Sequence, residues 1–321
     1  MKLWQAPARA LPVTVRPLGG ETVLSYARRL AEANDLPATA IMRALGQLSQ
    51  GSGYHLLDHD AWLSEQALDR LEAYSGIPRP RLTRALPALR HRPPHIPGQH
   101  AGAGPFLHVY RPWPHARPAC RLCTLRAGGT PGQEALVRLA ASPQICRRHK
   151  RWLGGAGETA QYDLSTVGEV FTAARCRTRL LSASTDRNWA GRIFSTAWQV
   201  TGWWAGTAPD RFPVLSRRWR TRAGALGIPP ATHVPAVVTF PEAVTLAEIL
   251  TDLNWRRNVA LDWDDRPFYQ RIAESIGERS YHRWLLANDP VPWWIRHHRA
   301  RFEQLRHRSW GKPPPENRHF K

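Results

Sequence analysis

The chain has 321 residues, a formal net charge of +20 and a sequence pI of about 11.1, enough length for a sizeable core in two or three small domains. That charge points to a polyanionic partner, with nucleic acid the first candidate. A membrane protein is excluded by the lack of any stretch of about 18 apolar residues, and residues 1–12 lack the apolar core of a signal peptide, so a soluble intracellular protein is expected.

Lysine stands only at positions 2, 150, 312 and 321, so nearly all of the 45 basic residues are arginine. Arginine suits bidentate phosphate and guanine contacts. Coding bias in a GC-rich genome accounts for most of the preference over lysine, but not for the positive sign. The charge is also unevenly placed. Residues 73–133 hold nine arginines and no acid. Arg147, Arg148, Lys150 and Arg151 follow, and residues 296–321 set eight Lys/Arg against only Glu303 and Glu316. These stretches are a candidate phosphate-tracking surface.

In chain order, residues 21–34 read as an amphipathic helix. Val23, Tyr26, Ala27, Leu30 and Ala33 recur at the spacing of one face, with Arg28, Arg29 and Glu32 elsewhere. Asp35-Leu36-Pro37 breaks it, and Pro37 starts a second short helix through Ile41 and Leu45. The outline then repeats. Residues 64–75 are predicted helical, with Leu68, Leu71 and Tyr74 on one side and Ser64 as the cap. Gly76-Ile77-Pro78 is the turn, and 81–86 the second helix with Leu82 and Leu86 inward. Each pair is the bare outline of a helix-turn-helix, and Arg79, Arg81 and Arg84 sit where a recognition helix would meet DNA. Residues 91–104, rich in Pro, Gly and His, read as a linker.

Residues 106–110 are a strand candidate leading to the most informative feature of the chain, the half-sites Cys120-Arg-Leu-Cys123 and Cys146-Arg-Arg-His149. In each, two soft donors are spaced so that one tight turn directs both at a single ion. Three thiolates and one imidazole complete a closed tetrahedral shell for one structural Zn2+, with no position left for a catalytic water. Two such pairs, 22 residues apart in a chain with only four cysteines, are hard to obtain by chance. Cys176, in a predicted helix, reads as a small core residue, and a disulfide framework is not expected. Between the half-sites, residues 128–132 form a turn and 134–141 a strand or helix. Arg121, Arg147, Arg148 and Arg151 flank the donors and join Arg79, Arg81 and Arg84 as candidate DNA contacts.

Beyond this the sequence reads as helical over 164–181 (Val167, Val170, Phe171, Ala174 and Leu181 as its stripe), 189–204, 244–253 and 267–276. The last two again have helix-turn-helix dimensions, although the 13 residues between them exceed what the motif usually allows. The tryptophans concentrated in this half belong mostly to a core. Trp203-Trp204 and Trp293-Trp294 are the pairs that could turn one ring outward.

The fold expected is mainly α, with a small zinc-ribbon-like module and helix-turn-helix units flanking the Cys3His site. It divides into a helical region 1–95, a zinc module 96–157, and a Trp-rich helical domain with a basic tail, 158–321. No enzyme is expected. A metal-dependent nuclease needs acids placed to hold Mg2+, and the one dense acidic run, Asp262-Trp-Asp264-Asp265, reads as a loop capping the helix that starts near Pro267. There is no P-loop, and His297-His298 reads as part of the basic tail.

Two motifs carry a family resemblance. Arg16-Pro-Leu-Gly-Gly-Glu21-Thr-Val-Leu-Ser25-Tyr26-Ala-Arg-Arg-Leu30-Ala-Glu-Ala-Asn34-Asp-Leu36, followed in order by Pro118-Ala-Cys120-Arg-Leu-Cys123 and Cys146-Arg-Arg-His149, resembles the TniQ family over residues 14–155. The resemblance implies a DNA-binding role in transposition. It would involve target-site selection and recruitment of an AAA+ ATPase regulator and a transposase, on double-stranded DNA in a prokaryotic cytoplasm at the nucleoid, with a homodimer compatible. It would make Cys120, Cys123, Cys146 and His149 the zinc ligands. Many members carry a second cysteine pair soon after the Cys-x-x-His, whereas residues 150–157 have none, and Arg121 replaces the usual proline after the first cysteine. The chain thus resembles a shortened or diverged member. The other readings are a stand-alone helix-turn-helix transcriptional regulator and a docking subunit for a nucleoprotein complex.

Overall fold

The structure, a computed structural model, describes residues 6–48, 59–90, 104–111, 116–138, 145–154, 161–207, 209–229, 234–262, 264–281 and 289–309. The chain is mainly helical and folds as two units, Met1–Gln161 and Tyr162–Lys321.

In the first unit, helix α1 (Val23–Glu32) begins where the Thr22 hydroxyl accepts the amide of Ser25, replacing a bond that a helix start lacks. Val23, Tyr26, Ala27 and Leu30 of its apolar stripe are buried, Ala33 past its end only partly, and Leu24, Ser25, Arg29 and Ala31 are buried too, because other elements enclose the helix on several sides. After Asp35, in left-handed backbone, α2 (Ala38–Leu45) starts behind Pro37 and stops at Gly46. A side chain at Gly46 would strike the Pro105 carbonyl, so this glycine allows the following backbone to pair.

That pairing builds a sheet of β1 (Gln47–Leu48), β2 (Asp60–Leu63) and β3 (Phe106–Tyr110) in the order β1-β3-β2, with β3 parallel to β1 and antiparallel to β2. The strand expected at 106–110 therefore joins the N-terminal helices in one sheet. Ser64 caps α3 (Glu65–Ser75) by accepting the Ala67 amide, and it also accepts the amide of Phe106. Gly76 ends α3 at a φ of 63°, a conformation glycine adopts without strain, and α4 (Arg79–Ala85) follows Pro78. Leu30, Leu45, Leu71, Leu82, Leu86 and Leu107 are fully buried in one core. Both short helix pairs stand where the sequence puts them, α4 starting two residues early. Nothing in the fold alone makes either pair a reader of DNA.

The linker expected at 91–104 lies outside the described residues except for Gly104. The remainder of this unit is small. Strand β4 (Arg117–Pro118) pairs antiparallel with β5 (Leu136–Val137), α5 (Arg121–Arg126) lies between them in sequence, and β6 (Ile145–Cys146) pairs with β7 (Arg151–Trp152).

Asp60 offers a pH test of this core. Its Oδ1 accepts the amides of Val23 and Ala61 at 2.8 Å each, with Arg138 Nη1 3.5 Å from the other oxygen. Burial outweighs these contacts and lifts the carboxyl from 3.8 to about 6. A raised value favours the protonated folded form, so its contribution is whole below about 3.8 and lost as pH rises through about 6, a change on the order of 3 kcal/mol. Asp60→Asn is therefore expected to gain stability relative to the natural chain between about pH 4 and pH 7, read as the difference between their thermal midpoints. A difference constant with pH would contradict this.

The second unit contains α6 (Gly168–Ala183), α7 (Arg187–Thr207), α8 (Pro213–Ala225), α9 (Ala236–Thr251), α10 (Leu253–Leu261), α11 (Arg266–Ile276) and α12 (Pro290–Ser309). Three sequence expectations need correction. The helix expected from 164 begins at Gly168, since residues 164–167 form a turn closed by Val167 N to Leu164 O. The helix expected from 244 begins at Ala236 and runs through Pro241. An internal proline costs about 3 kcal/mol, and here the near-complete burial of Val237, Val238, Phe240, Ala243, Leu246 and Ala247 offsets it. The gap before residue 267 is filled by α10, whose start Asp252 caps by accepting the amides of Asn254 and Trp255. Three consecutive helices thus replace the third helix-turn-helix outline.

Helix α8 has no counterpart in the sequence reading, because its Arg-rich composition hides the inward set Leu215, Trp219 and Arg222. Arg222 can be buried because Glu242 and Glu169 hold its guanidinium. Of the tryptophan pairs, Trp204 and Trp294 are buried while Trp293 is 51% exposed. Asp264 accepts the amide and the guanidinium of Arg266 at the start of α11, and Asp265 pairs with Arg299. Asp264 thus serves the helix start, whereas the N-cap residue Asp265 makes no side-chain capping bond and serves an ion pair instead.

Candidate metal centre and its basic surroundings

Cys120 is the N-cap residue of α5, and Cys123 lies one turn further on. Cys146 ends β6, and His149 occupies the turn before β7, where Lys150 takes a positive φ of 48°. The four donor atoms lie within 4.8 Å of one another. Cys123 Sγ is 3.7 Å from Cys146 Sγ, and His149 Nδ1 is 3.4, 3.2 and 3.7 Å from the sulfurs of Cys120, Cys123 and Cys146.

Metal–sulfur bonds of about 2.3 Å and metal–nitrogen bonds of about 2.05 Å in a tetrahedron require edges of about 3.8 and 3.6 Å. The separations given lie within about 0.4 Å of those edges, and 3.7 Å between the Cys123 and Cys146 sulfurs is far from a disulfide bond. Burial, then the adjacent Cys146 thiol, pushes Cys123 up to about 12, and burial raises Cys120 as well. A divalent cation among such thiols stabilises the thiolates it binds. The residues therefore fit a four-coordinate ion in a closed shell.

The cluster is fastened to the N-terminal motif. Glu21 is fully buried, its carboxylate 2.8 and 2.9 Å from Arg29 Nη1, and it accepts the Ser25 hydroxyl and the Leu18 amide. Ser25 in turn accepts the Leu136 amide at 2.8 Å, Thr22 N donates to Leu136 O, and Arg138 N donates to Gly20 O. Arg28 reaches the Glu134 carbonyl, Gln133 reaches Glu32, and Arg16 N donates to Ala127 O. On the other side, Gln161 bridges the Arg121 amide and the Ala119 carbonyl around Cys120. The sequence reading assigned Glu21 and Ser25 only to building a helix. Their signal was the polar residues recurring at the helical spacing 21, 25, 29, next to which a second buried face was not suspected. Cys176, which is not one of the four donors, lies on α6 in the second unit and is half-buried.

The basic residues fall into two classes. Arg81, Arg84, Arg121, Arg147 and Arg148 are exposed, and Arg151 is half-buried. Arg79 is engaged by Glu65 and lies 3.5 Å from Asp69, so part of its charge is already balanced.

A family model described as TniQ matches residues 12–153, which span the motif at Glu21, the sheet and all four metal donors. Residues 12–153, somewhat less than half of the chain, are thus similar to the TniQ family. No curated protein and no solved structure matches it significantly. The TniQ match points to a transposition-related protein. Among the described residues no helix is long and apolar enough to cross a membrane.

Proposed function

We propose that this TniQ-type protein binds double-stranded DNA through its first unit. One structural zinc ion would be held there by Cys120, Cys123, Cys146 and His149, and the protein would act in choosing a transposition target or bringing an AAA+ regulator and a transposase to it. The observation that supports this most is the fastening of a Cys3His cluster to the Glu21–Ser25–Arg29 motif inside a unit whose surface is rich in exposed arginine. Zinc suits the donor set because it favours mixed thiolate–imidazole tetrahedra, and bound there it supplies rigidity rather than reactivity. The zinc module of the three-part division would then begin after β3, which pairs in the N-terminal sheet, while 1–95 contributes the paired helices and 158–321 the Trp-rich helical domain.

DNA contact is assigned to Arg81 and Arg84 on α4 and to Arg121, Arg147, Arg148 and Arg151 around the metal site, with Arg79 joining once its acids are displaced. Neutralising Arg79, Arg81 and Arg84 together is expected to weaken duplex binding and to lower the slope of log affinity against log salt by about 2 to 3, since each lost phosphate contact removes about 0.9. An unchanged slope would move the contact surface off α4. The role is tested by incubating the protein with fragmented genomic DNA and sequencing what is retained, with and without the metal. A few sharply enriched, metal-dependent sites support target choice by this chain, whereas diffuse salt-sensitive retention places that choice in a partner.

A further inference from the structure

The second unit, beyond the TniQ match, carries a cavity of about 410 Å³ between the start of α7, the start of α10 and the middle of α12. Trp189, Leu253 and Phe302 give it apolar walls, and Arg256, Arg257 and Arg301 give it cations. Asp186 is the one acid among its lining residues, and its Oδ1 is occupied in accepting the Trp189 amide at 2.9 Å. None of the three arginines makes an ion pair among the described residues. The Arg256 guanidinium lies 4.5 Å from the Trp189 ring centre, and its buried Nε bonds to nothing among the described residues.

Three arginines, Arg257 and Arg301 exposed and Arg256 half-buried, gather around this concave apolar surface with Asp186 as the one carboxylate beside them, so positive charge is in excess there. The field shows in the neighbours. His298, whose Nε2 lies 3.2 Å from the Arg256 carbonyl, has its pKa lowered by burial and then by Arg256 and Arg301. Arg256 is lowered by burial and then by Arg301. An anion resolves this repulsion. The apolar walls require that it also carry a flat hydrophobic part.

The surface leading to the cavity has the same character. Trp293, His297 and Arg301 follow one another at intervals of four on α12, so they share a face. Trp293 is 51% exposed, and its ring lies 3.8 Å from that of His297. An aromatic step beside cations is how proteins follow an unpaired strand, because every base has a face to stack and every nucleotide a phosphate.

The geometry points to a binding site for an unpaired nucleotide of a nucleic-acid strand, with the base between Trp189 and Phe302, the phosphate at Arg257 and Arg301, and the adjoining nucleotide over Trp293. A space of about 410 Å³ accepts one nucleotide but not a duplex. The stripe along α12 extends the site past one residue, which favours a strand over a free nucleotide. This site is separate from the duplex surface of the first unit and stands whether or not that surface binds DNA.

The test uses the full chain, a fluorescein-labelled oligothymidylate of about 12 nucleotides, a duplex of equal length, and ATP as competitor, followed by anisotropy. Arg257→Glu/Arg301→Glu is expected to weaken single-strand binding at least ~10-fold and to lower its salt slope by about 0.7, the share of the one phosphate they hold. Leu253→Trp narrows the mouth without altering charge, and Leu253 is 53% exposed, so the fold tolerates it. It is expected to weaken single-strand binding ~5-fold or more while leaving duplex binding unchanged. ATP at millimolar concentration is expected not to displace the strand. Unchanged single-strand affinity in either variant overturns the site, equal losses for strand and duplex with Leu253→Trp overturn the unpaired-nucleotide assignment, and displacement by ATP assigns the cavity to a free nucleotide.

Discussion

Cys146→Ser is expected to lose the bound metal and to unfold the first unit at temperatures where the natural chain is intact. Structural zinc in small modules contributes about 10–16 kcal/mol of apparent binding energy, while a whole domain is stable by about 5–15 kcal/mol. Here the ion would close a module with very short strands, β4 to β7, and a helix of six residues, which otherwise relies on its hydrogen bonds to the N-terminal motif. If serine forfeits even about 5 kcal/mol, the midpoint of a unit of this size falls by roughly 10–20 °C. Elemental analysis is expected to give one zinc per natural chain and much less in the variant, with duplex binding lost in parallel. Cys120→Ser should behave alike, and Cys176→Ser should change neither metal content nor midpoint. A Cys146→Ser protein with full zinc and an unchanged midpoint would remove the metal assignment.

The second large effect is expected at the buried pair Glu21 and Arg29, both fully buried. Glu21→Gln leaves the guanidinium without a counter-charge, and breaking a buried pair from one side costs about 3–5 kcal/mol. That corresponds to a fall of roughly 6–20 °C in the midpoint of the first unit. The effect is expected to reach the metal, because Glu21 accepts the Ser25 hydroxyl and Ser25 accepts the Leu136 amide on β5. Zinc release to a chelator should therefore be faster in the variant. Replacing both partners with apolar residues, Glu21→Leu with Arg29→Met, is expected to restore most of the stability, since no lone charge then remains. A Glu21→Gln protein with unchanged midpoint and chelation rate would show that the motif does not brace the module.

Much of the candidate site was legible in the residues because its signals are local. Two donors separated by two residues can be aimed by one turn, and the observed cluster contains the four residues that this spacing selected. Caps were legible for the same reason: Ser64 and Pro37 precede helices in the structure as in the sequence. Helix α9 was misplaced because proline carries a local signal against helix, and only burial against other helices outweighs it. Helix α8 was overlooked because Arg222 looks exposed until Glu169 and Glu242, 53 and 20 residues away, neutralise it. The cavity in the second unit left no local trace, as its walls come from three separated segments.

The sequence by itself determined the sign and clustering of the charge, the donor set, the TniQ motifs and several helix starts, all properties of residues within a turn or two of one another. Tertiary structure decided the rest. It placed β3 in the N-terminal sheet, joined Glu21 to the metal module through Ser25, and balanced Arg79 while leaving Arg81 and Arg84 exposed. Burial, pairing and field depend on which distant residues arrive beside a group, and desolvation sets the energy of a charge only after they have arrived.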